Sequence, residues 1–256
     1  LPDGSSDPIY GEGEYTPAFY ALAAGPAIIQ DVLGIGLDTL DTALIRDAIA
    51  ALSRTAGGAN LWTGSGDRRP LLDALQYPDR RVRYEAALAP GKALPTQSFS
   101  GDFQVVPLLA SAVRAGARTF AVVIADSDED QTTYTAKLEQ LGYEVIAFAP
   151  SVSAASLQIA QAPGVDVVVV RQSRNNAIQT VEALQLGAKT AVAPVLVLAD
   201  ATDVFDMRQT LSENNRVLVN RVVMADEAFA ASLEGVIATA SGGRIDEAEA
   251  QIYAIE

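Results

Sequence analysis

The sequence predicts a mixed architecture, in which a short module of paired α-helices precedes a five-stranded parallel α/β domain. Two observations lead to this prediction. Between Pro17 and Leu94, apolar residues recur at three- and four-residue steps, the spacing of helices with one buried face. After Phe99, short continuous apolar runs alternate with helical segments, which indicates buried parallel strands connected by crossover helices.

Four segments follow from these patterns. Residues 1–16 are rich in Gly, Pro, Ser and Asp, and are predicted to form an extended arm or linker. Residues 17–97 are assigned to the helical module, 98–241 to the α/β domain, and 242–256 to a C-terminal helix. Because the chain begins without a Met and ends inside a predicted helix, we expect it to be part of a longer chain.

The helical module contains one segment with a clear buried stripe, formed by Leu44, Ile45, Ala48, Ile49 and Leu52. Asp41 is placed to cap the start of this helix, and Gly57 and Gly58 to end it. Two further helices meet at the turn Tyr77-Pro78-Asp79, where Asp79 is placed to cap the second one.

A cluster of arginines surrounds that turn and comprises Arg68, Arg69, Arg80, Arg81 and Arg83. Helix charges of this kind usually form a solvated face, and we expect that here. The alternative is a surface that docks an acidic segment of a partner.

The α/β domain is predicted from its strands in order. The strands are the runs TFAVVIA, YEVIAFA, VDVVVV, APVLVLA and RVLVN. The helices between them start near Gln131, Ser153, Asn175 and Asp203, and a long helix starts at Asp226.

The composition excludes several classes of function. The chain has no Cys and no His, which removes thiolate nucleophiles and the commonest neutral-pH base and metal ligand. We therefore expect no enzyme activity, no catalytic residue, no cofactor and no metal site. The net charge of −14 disfavours nucleic acid. No stretch approaches the roughly 18 apolar residues of a membrane span.

The compartment is not fixed by the sequence, because a chain without cysteine suits reducing and oxidising surroundings alike. We favour the cytoplasm. The cell envelope and export stay open, since any targeting signal is expected to lie outside this chain.

The segment ALQYPDRRVRYEAALA resembles the second half of a short bacterial HEAT repeat, in which a Pro-Asp turn leads into a helix with a small-residue face. DVLGIGLDTLDTALIRDAIAAL resembles an earlier repeat. The resemblance covers residues 17–95 and implies a short, armadillo-like stack of helical pairs that offers an extended surface to protein partners. Pro90 departs from the pattern, and the repeat is expected to end early or bend there.

The segment IADSDEDQ, followed by a helix ending in LGYEV, resembles the receiver domain of bacterial response regulators, as does the order of elements over residues 117–240. The resemblance implies a flavodoxin-like (CheY-like) sandwich with strand order 2-1-3-4-5 and a site at the carboxyl ends of the strands. Working receivers hold Mg²⁺ on an acidic pair after strand 1 and phosphorylate an Asp at the end of strand 3; a hydroxyl and a Lys follow strands 4 and 5.

Carried over to this chain, most of those positions have changed. The acidic pair falls on Ala125 and Asp126, with Asp128 close by, and the phosphoacceptor position falls on Arg171. The hydroxyl position is Ala199 and the Lys position is Asn220. A guanidinium cannot form an acyl phosphate and would repel Mg²⁺. The resemblance therefore implies a pseudo-receiver with a vestigial pocket.

Two interpretations of Arg171 stay open at this point. Its guanidinium takes the place of the metal and pairs with Asp126 or Asp128, or its side chain points into solvent. Asp200, Asp203 and Asp206, around the end of strand 4, are interpreted as helix caps and dipole partners, with a cation site as the alternative.

The resulting functional hypothesis is a non-enzymatic scaffold with a pseudo-receiver domain, whose partners are other proteins or further copies of the chain. One alternative is a signalling regulator that binds a small ligand at the vestigial pocket. Another is a hydrolase that uses carboxylates alone.

Overall fold

The structure, a computed structural model, describes residues 23–55, 61, 68–93 and 98–255. The predicted arm, residues 1–16, lies outside the described residues. The chain divides into two compact units: a helical unit that runs to Gln76 and again from Val82 to Leu109, and an α/β unit formed by Tyr77–Arg81 and Ala110–Ile255. Within the described part of the chain, every helix is too short or too polar to cross a bilayer.

Each described helix up to residue 115 buries part of its apolar surface. The stripe predicted around Ile45, Ile49 and Leu52 is buried, and Leu44 is half-buried. The elements are α1 (Pro26–Thr39), α2 (Thr42–Thr55), α3 (Pro70–Asp73) with a 3-10 turn (Ala74–Gln76), α4 (Arg80–Ala93) and α5 (Asp102–Ala115).

Helices α1 and α2 form a tight hairpin. Leu40 ends α1 in the left-handed conformation, with φ 55°, and the Asp41 N–H donates to the Gly36 carbonyl at 2.9 Å. The Asp41 carboxylate accepts the Leu44 N–H at 3.0 Å, which confirms the predicted cap. A side chain at Gly36 would lie 2.9 Å from Ile45 Cγ1, so this glycine allows the two helices to approach closely. Gly57 and Gly58 lie outside the described residues.

Helix α4 begins at the predicted turn. The Asp79 carboxylate accepts the Arg81 N–H at 2.8 Å, so the cap is where the sequence placed it. The early end expected at Pro90 is wrong, because α4 continues to Ala93; the alternative, a bend at this proline, stays a prediction. This proline lies in the last turn of the helix, where its missing N–H costs one hydrogen bond of the terminal turn.

The α/β unit contains five parallel strands in the order β2-β1-β3-β4-β5, which confirms the predicted order. The elements are β1 (Thr119–Ala125), α6 (Asp128–Gln140), β2 (Tyr143–Ala149), α7 (Val152–Gln161), β3 (Val167–Arg171), α8 (Arg174–Gln185), β4 (Val195–Ala199), α9 (Val204–Thr210), β5 (Val217–Arg221), α10 (Asp226–Ser241) and α11 (Glu247–Ile255).

Helices cover both faces of the sheet. Ala155, Val181 and Met207, from α7, α8 and α9, pack with one set of strand residues. Leu138 and Leu233, from α6 and α10, pack with the alternate set. Every residue of β1 and β4 is buried, as their continuous apolar runs predicted. The unit is therefore a three-layer α/β sandwich.

Both edge strands of the sheet carry features that disfavour further strand pairing. In β2, the register with β1 shifts so that Ile146 is an extra residue, a bulge that distorts this edge. In β5, the Arg216 carbonyl faces β4, so alternation turns the Val219 carbonyl outward. Arg208 Nε occupies that carbonyl at 2.8 Å.

Candidate functional site

The candidate site lies at the carboxyl ends of β1, β3 and β4. Ala125 and Arg171 are paired across β1 and β3, and the Asp126 N–H donates to the Arg171 carbonyl at 3.1 Å. Ala199 ends β4 on the other side of β3. This is the edge at which parallel α/β sheets bind ligands, so the residues singled out from the sequence occupy the expected edge.

Arg171 is held by carboxylates that differ from those predicted. Its Nη2 donates to Asp200 Oδ1 at 3.0 Å, and its Nη1 lies 3.5 Å from the Leu198 carbonyl oxygen. Its Nε lies 3.9 Å from Asp130 Oδ2 and makes no hydrogen bond within the described residues. The predicted pairing with Asp126 or Asp128 is wrong. The solvent-facing alternative is wrong too, because the Arg171 side chain is 19% exposed.

Asp126 binds the start of α8 instead of a cation. Its Oδ2 accepts the Ser173 N–H at 2.8 Å, and its Oδ1 accepts Gln172 Nε2 at 3.1 Å and Asn176 Nδ2 at 3.2 Å. The negative carboxylate thus lies at the positive N-terminal end of a helix, where it is stabilised. Three donors already engage this carboxylate.

Gln172 extends this network into the protein and was not predicted from the sequence. It is 5% exposed, its Nε2 also donates to the Pro150 carbonyl at 2.9 Å, and its Oε1 accepts Thr180 Oγ1 at 2.7 Å. The signal in the sequence was a second polar residue, after Arg171, at the end of β3. That signal alone does not distinguish a buried network from a solvent-exposed strand end.

The other three residues predicted to line the vestigial pocket have different surroundings from one another. Asp128 is exposed in the first turn of α6. Ala199 is 1% exposed and offers no polar side-chain atom. Asn220 accepts Arg208 Nη2 at 2.8 Å and donates to Ser232 Oγ at 2.7 Å, so its amide bridges α9 and α10.

Tyr134 is the aromatic residue of this edge. Its ring is buried against Phe229, with the two ring centroids 5.9 Å apart. Burial raises the pKa of the Tyr134 phenol, the charge of Asp130 raises it further, and the charge of Arg171 lowers it. A neutral phenol therefore adjoins the Arg171 ion pairs.

Two of the three aspartates around the end of β4 are ion-paired with arginines. Asp200 pairs with Arg171, and Asp206 pairs with Arg174 at 2.8 Å. Asp203 stands at the N-cap of α9 without a side-chain hydrogen bond to the helix, so it does not cap as predicted. No group of three or more possible metal-ligating side chains occurs in the described parts of the chain.

The expected solvated face of arginines is wrong at Arg80, Arg81 and Arg83, which are 1%, 6% and 9% exposed. Arg80 Nε and Nη2 bind the two Asp166 oxygens at 2.9 Å each, and Nη2 also donates to the Arg118 carbonyl at 2.6 Å.

The Asp166 carboxylate completes this buried pair by accepting the Phe120 N–H at 2.6 Å. Burial raises the pKa of Asp166, and the charge of Arg80 opposes that rise. The Arg80 guanidinium lies over the Phe120 ring, 4.8 Å from its centroid. The pair belongs to the α/β unit, at the opposite end of the sheet from Arg171.

Arg81 makes a second anchor of the same kind. Its Nε and Nη2 bind the Glu249 carboxylate at 2.8 and 2.7 Å, and its Nη1 donates to the Gly243 carbonyl at 2.6 Å and the Ser241 carbonyl at 3.2 Å. The segment Tyr77–Arg81 is therefore an integral part of the α/β unit, although the five strands follow later in the sequence.

Together, the fold and this site define a three-layer α/β sandwich with an arginine-centred ionic cluster at the carboxyl edge of its sheet. No family model, curated protein or solved structure matches the chain.

Proposed function

We propose that the α/β unit is a receiver-like domain that cannot be phosphorylated and that the chain acts as a scaffold for protein partners. The observation that carries the proposal is the Arg171 guanidinium, which stands at the end of β3 and is ion-paired with Asp200. A receiver needs a reactive carboxylate at this position, and a cation in its place also repels Mg²⁺.

The neighbouring carboxylate supports the same conclusion. Asp126 would be the metal ligand after β1, but three hydrogen-bond donors from Gln172, Ser173 and Asn176 already engage it. Recruiting Mg²⁺ would require this network to break. We infer that the edge is fixed in one conformation and that the domain provides a rigid surface, without a phosphorylation switch.

The helical unit supports the scaffold half of the proposal. The α1–α2 hairpin, closed at Leu40 and packed through Gly36 and Ile45, is compatible with a HEAT-like helical pair. Stacked helical pairs present extended surfaces to other proteins, and we propose that this unit does so.

The experiment treats the purified chain with phosphoramidate and Mg²⁺ and measures its intact mass. We expect no phosphoryl adduct on the natural chain. The matched variant Arg171→Asp restores a carboxylate at the end of β3, and an unrelated working receiver verifies the donor. A stoichiometric adduct on an aspartate at the carboxyl ends of the natural chain's strands would refute the proposal.

A second candidate function is the binding of a small anionic ligand at the same edge. The observation that favours it is Arg171 Nε, which is buried and makes no hydrogen bond within the described residues. A panel of small carboxylates and phosphates would then raise the melting temperature of the natural chain and leave that of Arg171→Gln unchanged. For the hydrolase alternative, the described residues offer no supporting geometry.

A further inference from the structure

Helix α5 carries an apolar seam that is exposed among the residues that the structure describes. Phe103, Val106 and Val113 are 75%, 73% and 54% exposed, and Ala110 between them is half-buried. Their spacing of three, four and three residues places all four on one side of this single helix. Repeated spacing of that kind is typical of helices that pack against a second helix.

The seam is complementary to itself when a second copy runs antiparallel. A two-fold axis beside Leu108 places Phe103 opposite Val113 of the second copy, and Val106 opposite Ala110 of the second copy. The larger side chains thus meet smaller ones in both layers. A surface that is complementary to itself forms a closed two-fold dimer, in which the same patch of both copies is used and every residue contact occurs twice.

Charge at the ends of the helix favours the same direction. Asp102 lies in the first turn of α5 and Arg114 in the last turn. Antiparallel packing places the acidic end of one helix at the same level as the basic end of the other, where the opposite charges attract through salt-screened solvent. Parallel packing would bring like charges together.

We propose that α5 is a homodimerisation surface that pairs antiparallel with α5 of a second copy. This deepens the proposed scaffold function by naming one partner. The exposed parts of the four side chains amount to roughly 400 Å² per copy, about half of a standard interface. The dimer is therefore expected to be weak and reversible, as interfaces of this small size usually are.

Sedimentation equilibrium of the full chain, over a range of concentrations at about 0.15 M salt, tests the surface. Phe103→Glu should weaken the dimer at least tenfold. The matched control is Phe205→Glu on α9, because Phe205 is 76% exposed and undergoes the same chemical change. This control should dimerise like the natural chain. A natural chain that stays monomeric, or equal effects of the two variants, would overturn the proposal.

Charge reversal tests the antiparallel direction. Asp102→Arg and Arg114→Asp should each weaken self-association about twofold to fivefold, because like charges then face each other across both ends of the dimer. Mixing the two variants should restore association, since the mixed dimer has opposite charges at both ends. Failure of the mixture to recover overturns this arrangement.

The phosphoramidate experiment is unaffected by either result, so failure of the dimer and failure of the pseudo-receiver proposal remain distinguishable.

Discussion

Replacing Arg80 by Met removes the charge from the buried Arg80–Asp166 pair while keeping an apolar stem of similar reach. The variant loses both 2.9 Å hydrogen bonds to Asp166 and the 2.6 Å bond to the Arg118 carbonyl. Of its donors among the described residues, Asp166 then keeps the Phe120 N–H. Leaving one member of a buried ion pair without its partner typically costs about 3–5 kcal/mol, and we expect a loss of that size in the free energy of unfolding.

The double variant Arg80→Met, Asp166→Leu distinguishes the cost of an unpaired buried charge from the cost of losing the other hydrogen bonds of the pair. It buries no isolated charge, so its cost should fall to about 2 kcal/mol, mostly for the Phe120 N–H and Arg118 carbonyl that lose their partners. Urea unfolding followed by circular dichroism measures all three proteins, and equal slopes against urea would show that the same surface unfolds. A single-variant cost below about 1 kcal/mol, or additive costs in the double variant, would refute the reasoning.

Acid should reduce the cost of Arg80→Met. Burial already raises the pKa of Asp166, and removal of the Arg80 charge raises this pKa further. A group with a raised pKa in the folded state loses stabilisation as pH rises through that pKa, so protonation at lower pH recovers stability. The difference in the free energy of unfolding between the variant and the natural chain should therefore become smaller below neutral pH. A difference that grows in acid would contradict the assigned direction.

Three further predictions concern other sites. Gly164→Ala would place a methyl carbon 2.9 Å from Arg80 Cβ and Cδ, so it should cost about 1–3 kcal/mol in urea unfolding. At Leu40, where φ is 55°, the Gly variant should be about 1 kcal/mol more stable than the Ala variant, and equal midpoints would exclude backbone strain there. Burial raises the pKa of Tyr143, so stability should fall as the pH rises above about 10, where the unfolded phenol ionises; a pH series of melting temperatures should be flatter for Tyr143→Phe.

The sheet could be predicted because its determinants are local. The continuous apolar runs of β1, β3 and β4 predict strands that are buried on both faces. Because each pair of consecutive strands is connected by one crossover helix, few strand orders are then possible. The caps by Asp41 and Asp79 were predictable for the same reason, since each bonds an N–H two or three residues away.

The partner of Arg171 depended on contacts that sequence order does not reveal. The receiver resemblance assigns Asp126 to the metal-binding position, but the start of α8 engages its carboxylate through the Ser173 N–H. Asp200, at the end of the neighbouring strand, then pairs with Arg171. Only the packing of α8 against the sheet decides between the two carboxylates.

Burial of Arg80 was missed because its partner, Asp166, lies 86 residues later in the chain. A row of arginines beside a turn has the same sequence pattern whether water or distant carboxylates accept its hydrogen bonds. Gly164, whose lack of a side chain makes room for the Arg80 stem, lies almost as far along the sequence, so it gave no local signal either.

The bulge at Ile146 and the Arg208 bond to the Val219 carbonyl have a consequence for how copies of this chain can accumulate. Exposed sheet margins act as templates on which molecules polymerise without limit, whereas these two margins are obstructed. Extension of the sheet by strands of further copies should therefore be disfavoured at both margins, even at high protein concentration.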